Sequence, residues 1–371
     1  MTRDSTKIYS MAKKHNFGAG PCILPQEVFQ QAAKAVLDFN GLSILEVSHR
    51  DKDFMAVMEE ARMLVKKVLN VPDDYTVLYL QGGASLGFLI AAMNMCGKNR
   101  KAAYVETGVW AKKAAKEAKL AGLTVDTIAN SADKNYSYIP KGFKIGADYD
   151  YVHYTSNNTI YGTQFREFPK SNIPLVCDMS SDIFSKKINV ADYHIIYAGA
   201  QKNLGPAGAT LFIVKNSVLG NSTYANIPSY LDLKNHAENE SMYNTPPCFS
   251  VYVSMLNLRH LIANGGLEAM EKKNEKKAAL LYAEIDSNPL FKGTVEKEDR
   301  SNMNVCFVCK DESLTEQFQL MCKEAGLIGL KGHRSVGGFR ASLYNACEIS
   351  DVEVLVNTMK SFAKKNVAVN S

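Results

Sequence analysis

Residues 193–206 read YHIIYAGAQKNLGP, and this stretch is the most informative about the fold. An apolar run typical of a buried β-strand ends in a turn of small residues that carries one lysine, Lys202. Because glycine and alanine let a ligand approach the backbone closely, a lysine in such a turn is placed to form a Schiff base with an aldehyde cofactor. The alternative is a surface lysine that is simply solvated. A second functional group is needed to decide between these interpretations.

That second group is Asp178, which ends another short apolar run in the sequence IPLVCDMSS at residues 173–181. If both runs are strands of a parallel sheet, Asp178 and Lys202 lie at the edge where open α/β sheets bind ligands. Pyridoxal phosphate (PLP) requires both groups, a lysine that holds its aldehyde and an acid that keeps its pyridine nitrogen protonated. The structural alternative for Asp178 is a helix N-cap or a loop residue.

A glycine turn between a strand and a helix predicts an anion site. Strand-like residues 75–80 precede Gly82 and Gly83, and an apolar helical run follows over residues 86–95. The free N–H groups and the dipole of a helix N-terminus favour an anion such as a cofactor phosphate, although a Gly-Gly turn by itself is usually only a turn. The sequence matches neither the G-x-G-x-x-G dinucleotide motif nor the G-x-x-x-x-G-K P-loop.

The composition is that of a globular protein with two lobes. The chain has 371 residues, which exceeds the length that a single hydrophobic core usually supports. Of these residues 46% are hydrophobic and 22% are charged, as in an ordinary globular protein. The net charge of +5 comes from scattered lysines without a dense basic patch, which argues against nucleic-acid binding. No apolar run is long enough to span a bilayer, so no membrane association is expected.

Eight cysteines in a chain of this length predict reduced thiols and a cytoplasmic location rather than a disulfide scaffold. Only Cys306 and Cys309 form a C-x-x-C pair, and no second pair follows at zinc-finger spacing. We therefore predict that both are core residues and that the protein has no metal site. The first 15 residues are polar and basic without the apolar segment of a secretory signal, and they are predicted to form a disordered tail.

The C-terminal part of the chain indicates a smaller α/β lobe. A strongly charged helix is predicted over residues 267–285, where it links the lobes. A strand over 302–309, a helix over 316–325 and a strand over 339–343 are predicted to follow.

Five segments, taken together, resemble one family. They are NFGAGP at 16–21, EVSHR at 46–50, YAGAQKN at 197–203, NTPP at 244–247 and KGHRSVGGFRAS at 331–342. In this order and at this spacing they resemble the phosphoserine aminotransferases, and the similarity covers residues 16 to 365. The resemblance implies a class-V, fold-type I PLP-dependent enzyme with a mainly parallel seven-stranded sheet and helices on both faces. It implies a large PLP-binding domain at 16–267 and a small C-terminal α/β domain at 268–371.

The resemblance also implies a role for individual residues. Lys202 would hold the cofactor and move protons, and Asp178 would keep the ring nitrogen protonated. Further contacts to the cofactor are implied for Ala84, Ser85, Trp110, Thr159, Gln201, Asn244 and Thr245. Ala84 and Ser85 would hold the phosphate, Trp110 would stack on the ring and Thr159 would bond the phenolic oxygen. Some members of the family carry an arginine at the position of Ser85, and in those members the arginine reaches the substrate phosphate.

Substrate binding is implied for four basic residues. Arg340 would clamp the α-carboxylate, and Arg50, His333 and Arg334 would hold the side-chain phosphate. In the family His333, Arg334, Asn244 and Thr245 are expected to act on the partner subunit's site, which implies a homodimer with composite active sites.

The implied reaction moves an amino group from L-glutamate to 3-phosphohydroxypyruvate and gives O-phospho-L-serine and 2-oxoglutarate, a step of serine biosynthesis. Two alternatives share the fold, a serine–glyoxylate-type aminotransferase and a cysteine desulfurase, which needs a mobile catalytic cysteine. A third alternative, a non-catalytic ligand-binding α/β protein, would stay colourless when the cofactor is added.

Overall fold

The computed structural model describes residues 14–168 and 170–367. Residues 1–13 of the predicted disordered tail therefore lie outside the described residues. The end of that predicted tail is corrected, because His15 and Asn16 form a short strand, β1, that pairs in parallel with Leu327 and Ile328. A strand of two residues has no apolar periodicity that a sequence pattern could reveal.

The centre of the molecule is a seven-stranded sheet. Its strands are β2 (Tyr75–Leu80), β3 (Lys101–Glu106), β4 (Thr124–Asn130), β5 (Tyr151–Thr155), β6 (Leu175–Asp178), β7 (Ile195–Gly199) and β8 (Thr210–Lys215). They lie in the order β2-β8-β7-β6-β5-β3-β4, and all neighbours are parallel except that β8 runs antiparallel to β2 and β7. The predicted mainly parallel sheet is confirmed.

Helices cover both faces of this sheet, as predicted. They are α1 (Gln26–Leu37), α2 (Lys52–Leu69), α3 (Gly83–Asn94), α4 (Val109–Leu120), α5 (Leu233–Glu238) and α6 (Cys248–Ala263). Apolar side chains of α1, α2 and α6 pack in one core cluster, and those of α3, α4 and α5 pack in a second cluster on the other face. Strands covered on both sides require apolar sequence throughout, and β5, β6 and β7 are accordingly buried along their whole length.

The C-terminal part of the chain has its own core cluster. Its elements are α7 (Gly266–Ser287), β9 (Phe291–Gly293), β10 (Asn304–Cys309), α8 (Thr315–Glu324), β11 (Leu327–Ile328), β12 (Phe339–Ser342) and α9 (Ile349–Val367). The four elements predicted here are confirmed with small shifts at their ends. Phe17 packs in this third cluster, so the N-terminal segment contacts the C-terminal part. The division at residues 267 and 268 stays a prediction.

The structure also tests the described residues for membrane-spanning helices, metal-binding groups and free thiols. Within 14–168 and 170–367, no helix combines the length and apolar character that crossing a bilayer requires. The same part of the chain contains no group of three or more His, Cys, Asp or Glu side chains arranged to hold a metal ion. Cys306 and Cys309 are both buried free thiols, which confirms their prediction as core residues.

Candidate active site

The carboxyl ends of three neighbouring strands bring predicted site residues together. Asp178 is the last residue of β6, Lys202 follows β7, and Thr159 lies in the loop after β5. The turn that carries the lysine is tight, because the N–H groups of Lys202 and Gly205 both donate 2.7 Å hydrogen bonds to the carbonyl oxygen of Ala200. This edge is where the topology of an open parallel sheet forms a ligand crevice.

Lys202 has the properties of a reactive amine. Its Nζ donates a 2.7 Å hydrogen bond to the hydroxyl of Thr159. Desolvation lowers the pKa of Lys202 to about 8, while the negative charge of Asp178 acts in the opposite direction and the charge of Arg340 adds to the lowering. A fraction of such an amine is unprotonated near neutral pH, so Lys202 can act both as a nucleophile and as a proton carrier.

Asp178 is buried and oriented by one neighbour, Ser180. The carboxylate Oδ1 accepts hydrogen bonds from the N–H of Ser180 at 2.9 Å and from its hydroxyl at 2.5 Å. Burial raises the pKa of Asp178, whereas the bonds from Ser180 and the charge of Lys202 lower it. A buried carboxyl group of this kind is stabilised in its charged form by a cationic partner, such as a protonated pyridine nitrogen.

Ser180 is a site residue that the sequence reasoning missed. Its hydroxyl oxygen also accepts a 3.1 Å hydrogen bond from the N–H of Gly199, at the end of β7. It thereby connects the ends of two strands beside Asp178. An aspartate followed two residues later by serine is a local pattern for a side-chain-to-backbone turn, and that pattern is the signal that could have identified it.

The N-terminal motif approaches the lysine turn closely. A side chain at Gly20, which has a φ of +140°, would lie 3.3 Å from the carbonyl oxygen of Gln201 and 3.4 Å from Cγ of Lys202. Gln201 is half-buried. The thiol of Cys22 donates a 2.7 Å hydrogen bond to the carbonyl oxygen of Lys202. Glycine is required at position 20 because the two backbones meet there.

The predicted anion turn lies at the start of α3. Gly82 and Gly83 have φ angles of +90° and +63°, and no side chain caps the helix N-terminus. Ala84 is half-buried and Ser85 is exposed in the first turn of α3. The backbone N–H groups of this turn are therefore available to an anion. A Cβ on Gly82 would lie 2.5 Å from Cδ2 of Leu86, which explains why this position needs glycine.

The loop with Asn244 and Thr245 lies beside this turn in the same chain. Both residues are exposed, and the carbonyl oxygen of Thr245 accepts a 2.6 Å hydrogen bond from Nε2 of Gln81. Gln81 immediately precedes the glycine turn. The prediction that the two residues reach the cofactor of a neighbouring subunit stays a prediction.

Trp110 lies in the first turn of α4, next to the loop that carries Thr159. Its ring packs in a small cluster with Ile160, Tyr161 and Val336. Its indole Nε1 is buried without a hydrogen-bond partner. An aromatic ring in this place can cover one face of a planar ligand.

Arg340 reaches the same loop from the C-terminal part of the chain. It lies on β12, and its Nη1 donates a 3.3 Å hydrogen bond to the carbonyl oxygen of Thr159. Its Nε is buried and has no protein partner. The remaining nitrogens of this guanidinium can bind a carboxylate through paired hydrogen bonds.

His333 and Arg334 lie close to Arg340 of their own chain. Desolvation and then the charges of Arg340, Arg334 and Lys113 lower the pKa of His333, and its Nδ1 is 2.8 Å from the hydroxyl oxygen of Ser335. Val336 of the same loop packs near Trp110 of that chain. The expectation that His333 and Arg334 act on the partner subunit's site stays a prediction.

Arg50 makes no contact with His333, Arg334 or Arg340 within the described residues. It is exposed, and its backbone N–H donates a 3.2 Å hydrogen bond to Oγ of Ser48. The preceding His49 is buried, with an unpartnered Nε2. The role of Arg50 at the substrate phosphate stays a prediction.

Comparison with known proteins agrees with this geometry. The family model of aminotransferase class-V matches residues 14–355. The chain belongs to the class-V aminotransferases. This aminotransferase is 58% identical over 356 residues to phosphoserine aminotransferase from Flavobacterium johnsoniae, which covers 95% of this chain and 99% of that protein. The predicted family, fold class and enzyme class are confirmed.

Two solved structures resemble the aminotransferase along nearly its whole length. Phosphoserine aminotransferase from Bacillus circulans subsp. alkalophilus is 41% identical with a TM-score of 0.93, covering 96% of this chain and 100% of that one. The PLP-bound phosphoserine aminotransferase from Trichomonas vaginalis is 37% identical with a TM-score of 0.90, covering 94% and 100%. The family implies a PLP-dependent enzyme.

The residues of the site fit PLP. Lys202 offers an amine of lowered pKa, and Asp178 offers a buried carboxyl group. The N-terminus of α3 offers free N–H groups for a phosphate. Trp110 Nε1 and Arg340 Nε are buried donors without protein partners, as expected where a polar ligand completes the hydrogen bonding.

Proposed function

We propose that this protein transfers the amino group of L-glutamate to 3-phosphohydroxypyruvate, giving O-phospho-L-serine and 2-oxoglutarate in serine biosynthesis. The observation that carries the proposal is the meeting of two groups at one residue. Lys202 Nζ bonds the hydroxyl of Thr159, and Arg340 Nη1 bonds its carbonyl oxygen. An amine for chemistry and a guanidinium for a carboxylate therefore contact the same residue of one loop. The names of the relatives at 58% and 54% identity support the substrate pair.

We assign PLP to the crevice at the ends of β5, β6 and β7. When bound, PLP supplies an aldehyde that bonds amines and a ring that accepts an electron pair. The residues proposed to hold it are Lys202, Asp178, Thr159, Trp110, Gln201, Ala84, Ser85, Asn244 and Thr245. Ala84 and Ser85 would offer backbone N–H groups to the phosphate, and Asp178 would hold the proton on the ring nitrogen.

Lys202 is the proposed acid and base of the reaction. Its Nζ would take the proton from the substrate α-carbon and would deliver a proton to C4′ of the cofactor. A pKa of about 8 suits this task, because a proton carrier works best when its pKa is near the working pH. Thr159 positions the amine through its hydroxyl.

Substrate recognition is assigned to the basic residues. Arg340 would bind the α-carboxylate, which both amino acids share, and its orphaned buried Nε is available for the second hydrogen bond. Arg50, His333 and Arg334 would bind the phosphate of the phosphorylated substrate. The exposed position of His333 and Arg334 on a glycine-rich loop lets them reach a ligand in the crevice.

We further propose a homodimer and a cytoplasmic location. Exposed large apolar side chains concentrate in the N-terminal helices and the loop between them, at Phe29, Leu37, Leu42, Leu45, Met55 and Met63. Such a patch is typical of a protein interface. Eight free cysteines fit a reducing compartment.

The cysteine desulfurase alternative lacks a suitable thiol. Six of the eight cysteines are buried. Of the other two, Cys248 donates a 3.4 Å hydrogen bond from its thiol to the carbonyl oxygen of Pro246, and burial raises its pKa. Cys22, the one that contacts the lysine turn, has its thiol bound to the carbonyl oxygen of Lys202, and burial raises its pKa to about 12. A thiol with such a pKa is protonated at neutral pH and is a poor nucleophile.

The test is spectroscopic. Purified protein incubated with PLP should be yellow, and O-phospho-L-serine and L-glutamate should each convert its absorbance, whereas L-serine and L-alanine should not. Borohydride reduction followed by peptide mapping should find the pyridoxyl label on Lys202 alone. A label on Lys331 or another lysine would contradict the site, and equal conversion by L-serine would contradict the substrate.

A further inference from the structure

Basic side chains from more than one part of the fold lie near His333 in the loop at residues 331–338. The charges that act on His333 come from Arg340, Arg334 and Lys113, and all three are positive. Within residues 14–168 and 170–367, neither Lys113 nor Arg334 forms an ion pair, and Arg340 bonds only a carbonyl oxygen. Positive charges that lie together without a counterion favour an anionic ligand.

Lys113 is the member of this group that comes from a different part of the fold. It lies on α4, one turn after Trp110, and its Nζ is 4.6 Å from the centroid of the Trp110 ring. Val336 of the 331–338 loop belongs to the packing cluster of the same ring. Lys113 and the 331–338 loop therefore both lie near Trp110.

The first turn of α3 supplies no cation here. Helix α3 packs against α4, but the residue it presents at the anion turn is the exposed, uncharged Ser85. A doubly charged phosphate needs more positive charge than a carboxylate does. Among the charges that act on His333, Lys113 is the one that α4 contributes.

We propose that Lys113 binds the phosphate of the phosphorylated substrate and is a specificity-determining residue of the aminotransferase. This inference rests on the proposed function and extends it, because it names a phosphate-binding residue outside the predicted set. Lysine is a mobile point charge on a flexible stem. It therefore contributes charge to the phosphate rather than the paired hydrogen bonds of an arginine.

The adjacent Lys112 provides a matched control. It is exposed on the same helix, it has the same charge, and it is absent from the charges that act on His333. Lys113→Met, Lys113→Arg and Lys112→Met would be compared with the wild type as PLP-loaded enzymes. Binding of 3-phosphoglycerate, which has a carboxylate and a phosphate but no amino or keto group, would be measured by calorimetry beside binding of glycerate.

Lys113→Met should weaken binding of 3-phosphoglycerate by about tenfold, the lower value for a charge-assisted contact. Binding of glycerate should not change, Lys113→Arg should keep most of the affinity, and Lys112→Met should match the wild type. The loss should shrink when KCl is raised towards about 0.5 M, since salt screens exposed charges. In the two half-reactions, Lys113→Met should raise KM for phosphoserine more than KM for glutamate, whose side chain carries a smaller charge.

Two outcomes separate the inference from the proposed function. If the wild type converts phosphoserine but Lys113→Met loses no affinity, or loses as much as Lys112→Met, the role of Lys113 is overturned and the proposed function stands. If the wild type neither binds 3-phosphoglycerate nor converts phosphoserine, the proposed function is overturned, and the inference falls with it.

Discussion

Lys202 Nζ donates a 2.7 Å hydrogen bond to the hydroxyl of Thr159, across 43 residues of sequence. The carbonyl oxygen of the same threonine accepts a 3.3 Å hydrogen bond from Arg340. Thr159 thus contacts the turn after β7 through its side chain and the C-terminal part of the chain through its backbone. A displacement of Arg340 would therefore also displace the loop that orients Lys202.

The lowered pKa of Lys202 predicts how PLP incorporation depends on pH. Only the unprotonated amine attacks an aldehyde, so the rate at which apoenzyme takes up PLP should rise with pH around a midpoint near 8. Asp178→Asn removes a negative charge that raises the pKa of Lys202, and the midpoint should therefore fall. Stopped-flow absorbance measures both. A midpoint near the ordinary lysine value would contradict the desolvated environment.

Buried Lys277 gives the free energy of unfolding a defined pH dependence. Its Nζ donates 2.8 Å hydrogen bonds to the carbonyl oxygens of Leu343 and Tyr344, and burial lowers its pKa from 10.5 to about 8. Between these values the unfolded state binds more protons, so the contribution of Lys277 to stability rises with pH.

Urea unfolding at pH 7.5 and pH 10, compared with Lys277→Met, measures this effect. The wild type should gain about 2 kcal/mol relative to the variant over this range. Taking the difference between the two proteins cancels the titration of their common groups. A constant difference would mean that Lys277 titrates normally in the folded state.

Asp178→Asn separates cofactor binding from catalysis. The amide keeps the size of the side chain but cannot hold the proton on the ring nitrogen, so turnover should fall by about 100-fold or more, while PLP still binds. Ser180→Ala removes the 2.5 Å hydrogen bond to the carboxylate and the acceptor of the Gly199 N–H, but it keeps the charge of Asp178 and should lose less. Near wild-type turnover in Asp178→Asn would exclude the proposed role.

Gly82→Ala tests the anion turn at the start of α3. The new Cβ would lie 2.5 Å from Leu86 at a φ of +90°, whereas at Gly83, with a φ of +63°, a Cβ meets nothing within 4 Å. Gly83→Ala should therefore cost only the backbone term of about 1–2 kcal/mol in unfolding free energy, and Gly82→Ala should cost more and weaken PLP binding. Equal losses would argue against close packing at Gly82.

The strands and the two central residues were predictable from the sequence for a physical reason. A strand buried on both faces must be apolar throughout, so β6 and β7 stand out, and the polar residues that follow them lie at one edge of the sheet. Asp178 and Lys202 were found in this way. The other roles came from resemblance to the phosphoserine aminotransferases rather than from pattern.

Other features depend on contacts that a linear pattern does not contain. His15 and Asn16 are ordered only by pairing with Leu327 and Ile328, which lie near the other end of the chain. Lys112 and Lys113 are indistinguishable in sequence, and only their positions relative to the Trp110 ring and to His333 separate them.

The last prediction separates recognition of phosphate from recognition of carboxylate. A hydrogen bond to a charged group contributes about 1.5–3 kcal/mol, or roughly 10- to 150-fold in kcat/KM. Arg334→Ala should lose about this much with phosphoserine and less with glutamate, whose side chain carries a smaller charge. Arg340→Ala should impair both half-reactions, because both substrates present the same α-carboxylate to it. Absorbance of the cofactor follows each half-reaction separately, and equal losses for both substrates in Arg334→Ala would remove its phosphate-specific role.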